Sequence, residues 1–105
     1  NLIYWYKEHK KEYHPFELAV IFSTKLVSIH PFVDGNGRIS RLIMNFILQR
    51  NKFPWINVYT KQRAEYLKAI RKGNDEEYLL IINLMIKTLR ENMESFGLIQ
   101  KRGKT

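Results

Sequence analysis

The sequence predicts an all-α domain: a helical bundle with a central buried helix, an anion-binding loop and a following helix. Three observations carry that prediction. Apolar residues recur at helical spacing from Leu2 to Phe96, the mark of amphipathic helices. The segment from Phe16 to Ile29 is apolar almost all round, as expected of a helix at the centre of a bundle. The breaks between periodic segments carry helix start and stop residues. A β-hairpin at Asp34-Gly35 or Asn36-Gly37 is the competing reading, because such pairs favour tight hairpins. It is set aside because residues 39–50 keep the helical period and do not alternate.

Each element has its own signal. Leu2, Trp5, Tyr6 and His9 share a helical face within residues 2–12. His14-Pro15 opens the second helix, with Pro15 at its first position, where a missing N–H costs nothing. Phe16, Leu18, Ala19, Val20, Ile21, Phe22, Leu26, Val27 and Ile29 fill that helix until Pro31 ends it. Ile39, Leu42, Ile43, Phe46, Ile47 and Arg50 mark a third helix, which Asn51-Lys52-Phe53-Pro54 breaks. A connector covers residues 54–60. Thr60 is then expected to cap a helix over 61–72, with Ala64, Leu67 and Ile70 inward and Gly73 closing it. Asn74-Asp75-Glu76-Glu77 reads as the next start, a capping residue followed by acids in the first turn. That helix runs to Phe96, and residues 97–105 read as a basic, frayed tail.

The chain has 105 residues, so one domain, 1–105, is expected. It contains no cysteine, which excludes disulfides and thiolate metal sites. No apolar run is long enough to span a bilayer and no signal-peptide pattern opens the chain. The reading is a cytoplasmic protein with no membrane partner. Lys and Arg number 18 against 10 Asp and Glu, a formal net charge of +8, which favours polyanionic partners without choosing among them.

The chemistry concentrates in one run, His30-Pro31-Phe32-Val33-Asp34-Gly35-Asn36-Gly37-Arg38-Ile39-Ser40-Arg41. His30 is the residue of this run able to act as a base near neutral pH. Asp34 offers a hard carboxylate oxygen, and one carboxylate beside substrate phosphates is a usual way to bind Mg²⁺. Gly35 and Gly37 allow close backbone approach, and Asn36 tolerates left-handed geometry. Arg38 and Arg41 sit three apart at the start of a helix, where cations oppose the helix dipole. An anionic ligand explains them better than folding does. A helix N-terminus after a glycine-rich turn is suited to phosphate.

The run resembles the signature of Fic domains, His-Pro-Phe-x-Asp/Glu-Gly-Asn-Gly-Arg-x-x-Arg, and matches each fixed position. The resemblance extends to the apolar helix ending in Ile29-His30-Pro31-Phe32, to Arg63-x-x-Tyr66 and to the long final helix. It implies a Fic-type helical core that transfers AMP from ATP to a hydroxyl side chain (Ser, Thr or Tyr) of a target protein, releasing pyrophosphate. By that resemblance His30 deprotonates the target hydroxyl. Asp34 holds Mg²⁺ between the α- and β-phosphates. Gly35, Asn36 and Gly37 form the anion hole, and Arg38 and Arg41 grip the phosphates. Relatives of the Doc type, which phosphorylate their targets, carry Ala-Asn-Lys-Arg where this chain has Gly35-Asn36-Gly37-Arg38. The resemblance therefore implies adenylylation.

Two features of the family are not matched. A β-hairpin flap that aligns the target has no counterpart before the first helix, so either the chain is a fragment or the flap is absent, and Ser23 stands where many members carry an extra His. The nearest counterpart of the family's inhibitory motif is Thr88 with Glu91-Asn92, one residue too short and read as surface charge. A separate inhibitory or antitoxin-like partner is a further expectation. The alternatives are a catalytically silent nucleotide-binding interaction module and a basic nucleic-acid-binding helical domain. Trp5, Tyr6, Trp55 and Tyr59 lend the latter some support, but their positions suit packing better, and nucleic acid is not the favoured partner.

Overall fold

The computed structural model describes residues 1–29, 35–58 and 62–97. It has helices α1 (Leu2–His9), α2 (Pro15–Ser28), α3 (Asn36–Arg50), α4 (Arg63–Asn74) and α5 (Leu79–Ser95). No strand occurs among the described residues, so the all-α expectation holds. None of the described helices is long and apolar enough to cross a membrane.

Helix α2 packs against each of the other helices. Its composition accounts for that position, since Phe16, Leu18, Ala19, Val20 and Ile21 are all buried. Pro15 takes the first turn as expected, and His14 Nδ1 accepts the Phe16 N–H at 3.1 Å. The buried Ser23 and Thr24 hydroxyls both donate to the Val20 carbonyl, which satisfies them inside an apolar helix. Met44, Ile47 and Leu48 of α3, Tyr66, Ala69 and Ile70 of α4, and Ile81, Leu84 and Met85 of α5 close the core around it.

The connector from Pro54 to Val58 has no helical bonds of its own, and two buried asparagines replace them. Asn45 on α3 donates to the Ile56 carbonyl at 3.0 Å and accepts its N–H at 2.8 Å. Asn92 on α5 accepts the Asn57 N–H at 2.6 Å and donates to its carbonyl at 3.3 Å. Each amide thus serves the connector as a neighbouring strand would.

Several expectations need correction. The first helix ends at His9 and not at residue 12, its end marked by His9 stacking on Trp5 with ring centroids 4.7 Å apart. In α3 the buried face is Ser40, Met44, Asn45, Ile47 and Leu48, whereas Leu42 and Phe46 are exposed. Binding the connector through Asn45 turns that face inward, a long-range cause that periodicity cannot register. In α4 the inward residues are Gln62, Tyr66, Ala69, Ile70 and Gly73, while Ala64 and Leu67 face solvent.

Gly73 does not close α4, and Asn74 does not open α5. Both lie within α4, and α5 begins at Leu79 with no side-chain cap. A Cβ on Gly73 would come within 2.5 Å of Thr24 Cγ2, so this glycine permits close approach of α4 to α2. The turn is made later by Glu76, with φ of 62°. The Glu76 N–H reaches the Gly73 carbonyl and the Glu77 N–H the Lys72 carbonyl, which is a Schellman ending. Thr60 and residues 98–105 of the expected tail lie outside the described residues.

Candidate functional site

Helix α3 begins at Asn36 with Gly35 as its N-terminal flanking residue, at φ of 77°. An L side chain is strained in that left-handed conformation, so glycine lets the chain enter the helix this way without that cost. Among the described residues no side chain caps this end. Its first N–H groups therefore lack intrahelical partners and carry the positive end of the helix dipole.

Both signature arginines fold back over this end. A Cβ placed on Gly35 would sit 3.2 Å from a terminal guanidinium nitrogen of Arg38, and one on Gly37 would sit 3.2 Å from a terminal nitrogen of Arg41. The two glycines thus leave room for two guanidinium groups against the backbone of the first turn. Among the described residues neither arginine is paired with a carboxylate. Two cations at the positive end of a helix repel it and each other, and an anion there would offset both.

Arg41 is also held from the side. Its guanidinium carbon lies 5.6 Å from the centre of the Tyr66 ring. Burial pushes the Tyr66 hydroxyl above its ordinary pKa, against the opposing pull of the Arg41 charge. Ser40 Oγ in turn donates to the Gly37 carbonyl at 3.0 Å.

An open groove of about 600 Å³ runs from Arg38 and Arg41 along Leu42, Asn45 and the connector residues Trp55–Val58. A second groove, about 690 Å³, lies by Ile29, which directly precedes His30, and is lined by Trp5, Lys25 and Tyr78 among others. Lys25 Nζ stands 5.0 Å from the Trp5 ring centre and 5.6 Å from that of Tyr78.

The structure brings together Gly35, Gly37, Arg38 and Arg41, with the Asn36 backbone opening the helix between them. His30 and Asp34 lie outside the described residues. Tyr66 and Ser40 join the site without having been singled out for it. The signal that could have found Tyr66 is the phase of α4, where Gln62, Tyr66, Ala69, Ile70 and Gly73 are buried; Ser40 stands in the signature run itself.

Of Thr88, Glu91 and Asn92, the charged Glu91 lies at the surface as expected, and the other two do not. Thr88 and Asn92 are buried. Glu91 is exposed and accepts from Gln62 Nε2 at 3.1 Å, so its carboxylate serves the α4–α5 contact.

Residues 1–48 match the Fic/DOC family. The proteins named protein adenylyltransferase Fic from Drosophila virilis and Drosophila melanogaster are 44% identical to the chain over 68 residues, which is 65% of this chain and 14% of each relative. The chain thus spans about one seventh of the curated relatives it matches. Among solved structures, a Fic domain containing signaling protein from Bacteroides thetaiotaomicron superposes with a TM-score of 0.76 at 26% identity, over 96% of this chain and 46% of that one. Fic-1 from C. elegans gives 0.77 at 32% identity, over 88% of this chain and 28% of that one.

Proposed function

We propose that this chain, whose residues 1–48 match the Fic/DOC family and whose helices have the Fic fold, is the core of a protein adenylyltransferase using ATP. The observation that carries this reading is the pair of guanidinium groups folded over Gly35 and Gly37 at the start of α3. That arrangement suits a chain of phosphates, several charges long, better than a single small anion.

In the proposed reaction a Ser, Thr or Tyr hydroxyl of a target protein attacks the α-phosphorus of ATP. His30 accepts the hydroxyl proton. A new bond joins the target oxygen to the α-phosphorus, the bond to the oxygen bridging toward the β-phosphate breaks, and pyrophosphate leaves. Arg38, Arg41 and the N–H groups of α3 hold the phosphates and meet the charge that develops on them. Positioning supplies much of the remaining acceleration. Asp34 directly precedes Gly35, and a single hard carboxylate next to a phosphate site is a donor set suited to Mg²⁺. Bound there, Mg²⁺ would neutralise phosphate charge.

The test is to incubate the protein with Mg²⁺ and a cell lysate, using ATP labelled on the α-phosphate in one arm and on the γ-phosphate in the other. Adenylylation transfers the α-label alone to protein. Transfer of the γ-label would mean phosphorylation. Nucleotide binding without transfer of either label would identify the silent interaction module.

A further inference from the structure

We infer that α5 carries a second packing face, which pairs with α5 of another copy of this chain in an antiparallel seam. The inference concerns a face outside the α3 site and does not rest on the adenylyltransferase reading.

Helix α5 has two apolar rows. Ile81, Leu84 and Met85, with Thr88 and Asn92, are buried against the core. Beside them runs a second row, Leu79, Ile82, Ile86, Leu89, Met93 and, at the C-cap, Phe96. Ile82 and Leu89 touch the core from its edge, and Met93 is half-buried. Leu79, Ile86 and Phe96 remain 72%, 48% and 56% exposed. Single exposed apolar side chains are ordinary on a surface, but a contiguous row marks an interaction site.

The spacing of the row says what kind of element covers it. Its steps alternate between three and four residues along the whole helix. That is the a and d pattern of a heptad, with Leu79, Ile86 and Met93 at a and Ile82, Leu89 and Phe96 at d. Such a seam receives the side chains of another α-helix. An extended peptide, whose side chains repeat every two residues, would not match it.

The row is also complementary to itself. When two copies meet antiparallel about a two-fold axis between Ile86 and Leu89, each a residue faces a d residue. Leu79 meets Phe96, Ile82 meets Met93 and Ile86 meets Leu89, and symmetry repeats every pair. The seam then runs for about 26 Å at the usual helical rise. Asn83 and Arg90 border the row on its solvent side, and both are exposed. The same register brings Arg90 of one copy to within about 3 Å, measured along the axis, of Asn83 of the other. An amide oxygen that can accept from arginine is thus the nearer flanking group, rather than a second cation.

Sedimentation equilibrium of the chain tests this. The mass should rise from 12.7 kDa toward twice that value between about 1 μM and about 1 mM, the range of a weak specific interface. Ile86→Glu, at the centre of the seam, should weaken association by about tenfold or more. Leu79→Glu, at the most exposed position of the row, should weaken it too and serves should Ile86→Glu disturb the fold, which circular dichroism checks. Phe46→Glu, an equally exposed site on α3, should leave association within about twofold of wild type, since surface substitutions away from an interface change little. Each copy carries a formal net charge of +8, so the apolar seam should tighten as salt screens the repulsion. The chain has no cysteine, which makes orientation readable. Mild oxidation of mixed Leu79→Cys and Phe96→Cys chains should join one to the other, and neither to itself. A wild type that stays at 12.7 kDa at about 1 mM overturns the inference. So does an equal loss in Phe46→Glu, weakening by salt, or Leu79→Cys chains joined to each other. None of these measurements involves nucleotide, so the adenylyltransferase reading stands or falls separately.

Discussion

Two glycine–asparagine pairs stand at two helix ends, Gly35-Asn36 where α3 starts and Gly73-Asn74 where α4 stops, and they are glycine for different reasons. Gly35 is needed for its backbone, which lies at φ of 77°. Gly73 has ordinary helical geometry and is needed for its missing side chain, because Thr24 Cγ2 occupies the place a Cβ would take. The first pair begins a helix turn over which the Arg38 side chain folds, and the second lies in a helix packed against the buried α2. Local sequence chemistry is the same at both, and only the surroundings separate a turn covered by arginines from a packing contact.

The largest effect expected on the first side is functional. His30→Ala should lower transfer of the α-label by ~10²–10⁴-fold, the usual loss for a general base. ATP affinity should stay within about twofold, because the phosphate donors are elsewhere. Transfer rates with calorimetric titration check it, and unimpaired turnover would remove His30 from the mechanism. Thermal stability should hardly change.

Gly73→Ala should do the opposite, lowering stability while leaving the ratio of ATP to AMP affinity alone. Alanine improves helix propensity by up to about 1 kcal/mol, but overpacking a filled site costs about 1–3 kcal/mol. The cost should win, because Thr24 is 1% exposed and its hydroxyl is tied to the Val20 carbonyl. A net loss of about 1–2 kcal/mol in urea unfolding is expected from those terms. Thr24→Ser removes the clashing methyl, and in that background Gly73→Ala should lose most of its penalty. If the penalty persists, the contact with Thr24 is not its cause.

Gly37→Ala tests the same geometry on the ligand side. The neighbour at 3.2 Å is the flexible tip of Arg41 rather than a locked methyl, so stability should move by less than about 0.5 kcal/mol. Displacing that tip should lower ATP affinity by several-fold, with AMP spared. Equal weakening of both nucleotides would mean that the backbone of the turn had moved instead.

The contrast also explains what the sequence made legible. The α-class, the Pro15 start of α2, the helix beginning at the glycine-rich turn and the burial of Phe16–Ile21 follow from local pattern, and the structure agrees. The signature run was legible as a candidate site because its residues are adjacent in sequence. The face of α4 and the surroundings of Asn45, Tyr66, Gly73 and Asn92 depend on partners 11 to 49 positions away, from Asn45 with Ile56 to Gly73 with Thr24. Periodicity reports a helix but fixes its rotation only within the width of the apolar stripe. Here Leu42 and Phe46 look inward by pattern and are 55% and 59% exposed, because the polar Asn45 takes the inner place to hold the connector.

The smallest effect concerns helix ends that have no glycine where one would suit them. Helices α3, α4 and α5 all end with a left-handed residue just beyond the helix: Lys52 at φ of 68°, Glu76 at 62° and Gly97 at 75°. At Lys52 the N–H reaches the Gln49 carbonyl and the Phe53 N–H reaches that of Leu48, the same pattern that ends α4 at Glu76. Left-handed geometry costs a non-glycine residue roughly 1–2 kcal/mol, and glycine's greater freedom in the unfolded chain takes back about 0.5–1 kcal/mol. Lys52→Gly and Glu76→Gly should therefore each stabilise the fold by about 0.5–1 kcal/mol. Because the two sites end different helices and share no partner, the gains should add. Gly97→Ala should lose a similar amount, since no neighbour lies within 4 Å and the backbone alone is tested. Urea midpoints at constant slope measure all three. Should Glu76→Gly prove destabilising, the Glu76 side chain would have a role beside the Lys25 groove that outweighs its backbone strain, and the second turn would no longer be purely structural.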